Sequence, residues 1–146
     1  MAIRSIQSIV FLSLCVGGVL LSVLKPIAAA GTTTQTFANA DRYVGEIQNV
    51  QFHGQGTYFF SNGNEYEGRF HEGKYHGQGV YKFASGERYE GEFRDGKFDG
   101  HGVYTWTGGL RFEGAWQNSR KWTGTVYSQW GTVAGTYTEG KWESAL

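Results

Sequence analysis

Aromatic and charged side chains alternate along most of the chain after its first 41 residues. From residue 88 to residue 94, the odd positions hold Tyr89, Gly91 and Phe93, while the even positions are all charged. The same alternation occurs over 65–71. A period of two places successive side chains on opposite faces of a β-strand. These segments therefore predict strands with one aromatic face and one charged face.

A second alternating segment follows each of these strands. Gly79, Tyr81 and Phe83 share one face of it, opposite polar and β-branched neighbours. Glycine-bearing segments such as 72–77 and 84–87 separate the strands, and they predict the turns of β-hairpins. No segment after the first 30 residues carries a helical stripe of apolar residues. The pattern predicts an all-β antiparallel meander without a second layer to cover it.

The hairpins repeat with a period of 23 residues. The segments 66–88 and 89–111 are identical at 12 of 23 positions, so they are internal repeats. One position of the repeat holds aromatic residues: Tyr43, Tyr66, Tyr89 and Phe112. A second position, two residues later, holds what we predict to be repeat-turn glycines: Gly45, Gly68, Gly91 and Gly114. Glycines on the aromatic face also allow a ring to lie over a neighbouring strand, where no Cβ intervenes.

The repeat defines the expected domain organisation. Residues 42–142 form the repeat domain, preceded by a linker over 31–41 and followed by a tail over 143–146. The predicted units are 42–65, 66–88, 89–111 and 112–132, with a half-unit at 133–142. The fourth unit is two residues short, and Ser119 and Thr123 replace its expected glycines. Atypical terminal units are expected because they cap the stack against water.

The repeat resembles the MORN (membrane occupation and recognition nexus) repeat. The pattern that carries the resemblance is Tyr66-Glu67-Gly68-x-Phe70-x-x-Gly73-Lys74-x-His76-Gly77-x-Gly79-x-Tyr81. The resemblance covers 42 to about 142, and it departs from the pattern in the fourth unit, at Val50 and at Val133. It implies an elongated, curved, single-layer antiparallel sheet of tandem hairpins, an open meander or solenoid. It also implies a module for protein interaction, dimerisation or membrane association.

The first 30 residues have the three parts of a secretory signal. Arg4 precedes an apolar run from Ile9 to Leu24, and Ala28-Ala29-Ala30 predicts cleavage before Gly31. We therefore expect export to a periplasm, a lumen or the medium. The alternative is an uncleaved membrane anchor formed by residues 5–24. Cys15 is the only cysteine and lies in the apolar run, so a cleaved chain has no disulfide.

Charge and side-chain chemistry exclude several function classes. The full chain has 13 basic and 13 acidic residues, which gives no basic field for nucleic acid. The sequence His53-Gly54-Gln55-Gly56 resembles a phosphate loop, but a strand follows it where a phosphate loop needs a helix. His53, His71 and His76 fit turn positions better than metal ligands. We predict no catalytic residue, no cofactor, no metal and no enzymatic activity.

An uncovered aromatic face predicts a binding surface. An extended aromatic surface usually marks an interaction site, so we predict a protein-binding scaffold. The predicted binding face comprises Tyr43, Tyr58, Tyr66, Phe70, Tyr81, Tyr89, Phe93, Tyr104, Trp106, Phe112 and Trp116. The alternative for any single ring is that it packs on its neighbours and forms only core. Association with a phospholipid surface, binding of envelope glycans, and self-association through the strand near 136–142 are the other hypotheses.

Overall fold

The computed structural model describes residues 31–145. The predicted signal sequence, its anchor alternative over 5–24 and the last residue of the predicted tail lie outside these residues. Export therefore stays a prediction. Within 31–145, no helix is long or apolar enough to cross a bilayer.

The described residues form one open antiparallel sheet of eleven strands in chain order, β1-β2-β3-β4-β5-β6-β7-β8-β9-β10-β11. This confirms the predicted all-β meander of hairpins. The strands are β1 (Thr32–Thr36), β2 (Arg42–Gln48), β3 (Gln51–Phe59), β4 (Glu65–His71), β5 (Lys74–Lys82), β6 (Arg88–Arg94), β7 (Lys97–Thr105), β8 (Arg111–Gln117), β9 (Arg120–Tyr127), β10 (Val133–Thr138) and β11 (Lys141–Ser144).

Both ends of the predicted repeat domain need correction. The predicted linker over 31–41 contains β1, whose Gln35 pairs with Tyr43 on β2. Its sequence, TTTQT, has no apolar period that would predict a strand, and all five of its residues are exposed. At the other end, β11 reaches Ser144, which pairs with Gly135. The predicted half-unit is thus a complete hairpin that extends into the predicted tail.

The predicted turn over 72–77 is shorter than expected. It consists of Glu72 and Gly73, which have φ values of 48° and 77°. Two residues with positive φ match the twist of a two-residue hairpin. The remaining residues belong to β5, in which a bulge at Gly77 (φ 65°) shifts the register against β4. Gly77 therefore belongs to a bulge. The sequence pattern alone does not distinguish a bulge glycine from a turn glycine.

The turns at the other ends of the strands, which connect one hairpin to the next, are joined to one another by hydrogen bonds. The Asn64 side-chain oxygen accepts a hydrogen bond from the backbone N–H of Ala84 in the next turn, at 2.8 Å. In the same way, Asp41 accepts one from Ser61 at 2.8 Å. This bond, and a second from the Tyr58 hydroxyl, lower the pKa of the buried Asp41 carboxyl to about 2. The turns thus fix the spacing between hairpins.

The four glycines labelled as repeat-turn glycines lie in the middle of strands, as the alternation over 65–71 and 88–94 predicts, so their assignment to turns is wrong. Each faces another glycine, in a row that crosses β2 to β9: Gly45, Gly56, Gly68, Gly79, Gly91, Gly102, Gly114 and Gly124. Aromatic rings lie flat on this row. A Cβ added at Gly79 would be 2.7 Å from the Tyr66 hydroxyl oxygen. The predicted placement of rings over glycines is confirmed, and it requires strand glycines because a Cβ would occupy the space of the ring.

Aromatic rings in three roles build the core above the glycines. Tyr66 is fully buried, and its hydroxyl donates to the carbonyl of Arg69 (2.8 Å) at the register shift. Tyr75 stacks on the ring of Tyr66, with centroids 3.8 Å apart. Phe70 lies edge-on between Tyr66 and Tyr43 of the preceding hairpin, 5.1 Å from each. Equivalent residues repeat this set in the next hairpin, so one continuous core joins the units.

Replacing Val50 by glycine is expected to stabilise the protein by about 1 kcal/mol. Val50 occupies the turn position that holds Gly73 and Gly96 in later hairpins. It has φ 64° and is 97% exposed, so its β-branched side chain is strained without any compensating contact. The measurement is the urea midpoint of Val50→Gly against wild type. The control, Val133→Gly, removes an exposed valine from a strand and should destabilise instead. A lower midpoint for Val50→Gly than for wild type would contradict the claim that Val50 is strained by its positive φ.

Candidate interaction face

Most residues of the predicted binding face are core. Seven of the eleven are buried: Tyr43, Tyr66, Phe70, Tyr89, Phe93, Phe112 and Trp116. The expected exposure is wrong for these seven, because the sheet is lined with glycines on this face and the rings fill the resulting depth. These seven rings pack on their neighbours and form the core, which was the alternative interpretation.

The other four predicted residues are partly exposed and belong to a longer row along one edge of the face. We call this row the aromatic rim: Phe37, Tyr58, Phe60, Tyr81, Phe83, Tyr104 and Trp106. Successive rings touch. Tyr81, for example, lies 4.7 Å from Phe83 and 5.9 Å from Phe60. The rim thus extends from the turn before β2 to the turn after β7 without interruption.

Hydrogen bonds hold two of the rim tyrosines in place. The Tyr58 hydroxyl donates to Asp41 at 2.8 Å, and the Tyr81 hydroxyl accepts from the Asn64 side-chain amide at 3.1 Å. Burial raises the pKa of Tyr58 to about 12, and the neighbouring carboxylate of Asp41 adds to the rise. The Tyr58 hydroxyl therefore stays protonated at neutral pH, so it positions its ring and does not act as a base.

A cavity of about 350 Å³ opens on the aromatic face between the rim and the row of stacked rings. Its lining is aromatic apart from two glycines and one lysine: Phe52, Tyr58, Phe60, Phe70, Gly73, Lys74, Tyr75 and Gly96. Its volume lies at the lower end of the range for small-molecule sites.

A second cleft, of about 310 Å³, opens on the same face near the last hairpins. It is lined by Trp106, Leu110, Val126, Tyr137 and Trp142. Trp142 is 46% exposed and Leu110 is 37% exposed. Both depressions adjoin the rim, since Tyr58 and Phe60 line the first and Trp106 lines the second.

Several partly exposed rings of this face were absent from the predicted site. Two sets of them follow the repeat: Phe37, Phe60 and Phe83 of the rim, and Phe52, Tyr75 and Phe98 of the stacked row. Each set has the same 23-residue spacing as the predicted residues. The spacing is the signal by which they could have been found. They were missed because they lie in or next to segments predicted as turns, or, for Phe37, in the segment predicted as a linker.

Charges of both signs cover the opposite face of the sheet. Lys82 pairs with Glu65 at 2.8 Å, and Arg94 pairs with Asp99 at 3.1 Å. The Glu92 carboxylate accepts a hydrogen bond from the backbone N–H of His101 at the bulge of the third repeat. These acidic groups therefore pair with cations or support the backbone, which are structural roles.

Three histidines follow one another across β3, β4 and β5. The ring of His71 lies 5.3 Å from that of His53 and 5.5 Å from that of His76. Among residues 31–145, no three histidine, cysteine or acidic side chains are grouped closely enough to hold a metal ion. The spacing of these rings fits their repeat positions on adjacent strands.

Comparison with known proteins identifies the repeat. The family model for the MORN repeat matches residues 43–65, 66–88 and 89–111. The matched segments coincide with the first three predicted units, apart from the first residue. No curated protein matches the chain.

Proposed function

Residues 43–111 are three tandem MORN repeats, and on that premise we propose that this chain is a non-catalytic scaffold that binds a protein partner through its aromatic face. MORN repeats are generally interaction modules for proteins or membranes. The observation that carries the choice of face is the aromatic rim, a continuous row of partly exposed rings spanning the matched repeats. Aromatic rings are the residues most often found at the centres of protein interfaces.

The preformed shape of the rim supports a protein partner. Two of its tyrosines, Tyr58 and Tyr81, are fixed by hydrogen bonds to Asp41 and Asn64, so they lose little side-chain entropy when a partner docks. The cavity of about 350 Å³ beside it provides a depression for an apolar anchor of the partner. Rigid rings beside a pocket are the usual arrangement of a binding hot spot.

The charge distribution argues against the membrane alternative. Residues 31–146 carry 11 basic and 13 acidic side chains, since Arg4 and Lys25 precede them. Anionic lipid surfaces attract clusters of basic residues, and the charged face instead pairs cations with carboxylates. The glycan alternative has the aromatic rings in its favour, but the two depressions have few polar groups to bind hydroxyls.

The test is capture of a partner by the full chain and by a rim variant. The chain is fixed to a resin and exposed in parallel to envelope and cytosolic extracts of the source cell, and retained proteins are quantified. Phe60→Ser combined with Phe83→Ser should lower the affinity for the retained partner at least about tenfold, because truncated aromatic anchors cost that much or more. The control is Glu67→Ala with Gln78→Ala, which alters exposed residues of the charged face.

The outcomes separate the hypotheses. A partner that binds the rim variant as well as wild type contradicts the proposed face. Retention of phospholipid or glycan alone would contradict the protein-binding proposal and favour the membrane or the glycan alternative. Retention of the chain itself would support self-association through β1 or β11. A specific partner found only in the cytosolic extract would contradict export.

A further inference from the structure

One position of the repeat changes its chemistry in the fourth unit. In the first three units this position holds the ring that stacks on the buried tyrosine: Phe52, Tyr75 and Phe98, with centroid distances of 4.0, 3.8 and 3.8 Å. One repeat later the position holds Lys121. The residue that would be stacked, Phe112, is still fully buried. A cation thus replaces a ring on the aromatic face.

The ammonium of Lys121 lies among four aromatic rings. Its Nζ is 4.6 Å from the centroid of Trp106, 5.6 Å from Trp116, 5.7 Å from Tyr137 and 5.8 Å from Tyr104. All four distances are within the range of cation–π attraction. These rings come from β8 and β10, from the end of β7 and from the turn after it. The cation is therefore held in place by packing from both sides.

Nothing in the described part of the chain neutralises this cation. Between residues 31 and 145, Lys121 forms no ion pair and donates no hydrogen bond to a protein oxygen. Partial burial lowers the pKa of Lys121, because desolvation penalises its charged form. Three N–H donors of a half-buried ammonium are thus left for an external acceptor.

The lysine adjoins the second cleft. Trp106 and Tyr137, two of the rings around Nζ, are also walls of the cleft of about 310 Å³. The other walls, Leu110, Val126 and Trp142, are apolar. An apolar depression with a positive charge beside it is complementary to an apolar group that carries a negative charge.

We infer that this cleft binds a peptide segment of the partner that presents a carboxylate next to a large apolar side chain. The carboxylate pairs with Lys121 Nζ, and the apolar side chain fills the cleft between Trp106 and Trp142. The inference rests on the proposed function and names the chemistry of the partner at one end of the aromatic face. A peptide fits better than a sugar, because aliphatic walls such as Leu110 and Val126 offer no hydrogen bonds to hydroxyls.

The test uses two pools of fluorescein-labelled heptapeptides, acetylated and amidated at their ends. One pool fixes a glutamate beside a leucine, and the matched pool has glutamine in place of the glutamate. Titration with the full chain, followed by fluorescence anisotropy, should show at least about tenfold tighter binding of the glutamate pool, as expected for a charge-assisted hydrogen bond. Lys121→Met should remove this preference, and Lys121→Arg should retain it.

Two further variants keep the result interpretable. Lys82→Met removes a lysine of the opposite, charged face, where Lys82 pairs with Glu65, and it should leave the affinity for the glutamate pool within about twofold of wild type. Trp142→Ala should weaken binding of both pools by shortening one wall of the cleft. Equal affinity for the two pools, or an unchanged preference in Lys121→Met, would overturn the inference. That result would leave the proposed function standing, since the captured partner and the rim variant decide it independently.

Discussion

Replacing Phe93 by alanine is expected to lower the free energy of unfolding by about 3–5 kcal/mol, the cost of deleting a buried phenylalanine. Phe93 is 3% exposed and lies edge-on to Tyr66 at 5.0 Å and to Tyr89 at 5.1 Å. These two tyrosines belong to successive hairpins, so Phe93 joins one repeat to the next. In an array where each unit contacts only its neighbours, loss of one junction weakens the cooperativity of the whole.

The measurement is urea unfolding of Phe93→Ala, monitored by far-UV circular dichroism and by tryptophan fluorescence. The two signals should separate in this variant, because all five tryptophans lie at or after residue 106, beyond the weakened junction. Phe83→Ala is the control. It truncates a partly exposed rim ring and should cost about 1 kcal/mol with coincident transitions. A midpoint for Phe93→Ala equal to that of the control would show that the rings do not transmit stability between hairpins.

Addition of a single methyl group at Gly68 is expected to cost about 3 kcal/mol, the upper end for overpacking. A Cβ at this position would lie 2.6 Å from the Tyr66 hydroxyl oxygen, 2.7 Å from the Gly79 Cα and 2.9 Å from the Gln78 carbonyl oxygen. Two of these atoms are backbone atoms of the paired strand, so a change of rotamer does not relieve the contact. Gly68→Ala must either part β4 from β5 or displace Tyr66 from its stack on Tyr75.

Gly108→Ala is the matched control for this substitution. A methyl group added at Gly108 would have no neighbouring atom within 4 Å, and Gly108 lacks a positive φ, so the same chemical change should alter stability by less than about 1 kcal/mol. Both variants are compared by their urea midpoints, with the near-UV circular dichroism of the tyrosines as a measure of ring packing. Similar midpoints would mean that the row of glycines is not required for close packing of the rings.

The candidate site was only partly predictable from the sequence. Tyr58 and Tyr66 are both tyrosines on the same face, and they pair directly across β3 and β4. Yet Tyr66 is fully buried, while Tyr58 is partly exposed. Alternation assigns a side chain to a face, but its depth depends on the ring that stacks above it. Tyr75 of the paired strand and Phe93 of the next hairpin cover Tyr66, and both contacts arise from pairing and packing of strands rather than from local sequence.

The sequence by itself determined the hairpin repeat, its period and the separation of an aromatic from a charged face. Those features are local, because a period of two and the glycine-bearing turns act within a few residues. Only the tertiary structure decided which rings are core and that β1 adds a strand. It also placed Lys121 among rings from neighbouring hairpins. These features depend on strand register and on stacking between repeats, where residues distant in sequence compete for the same space.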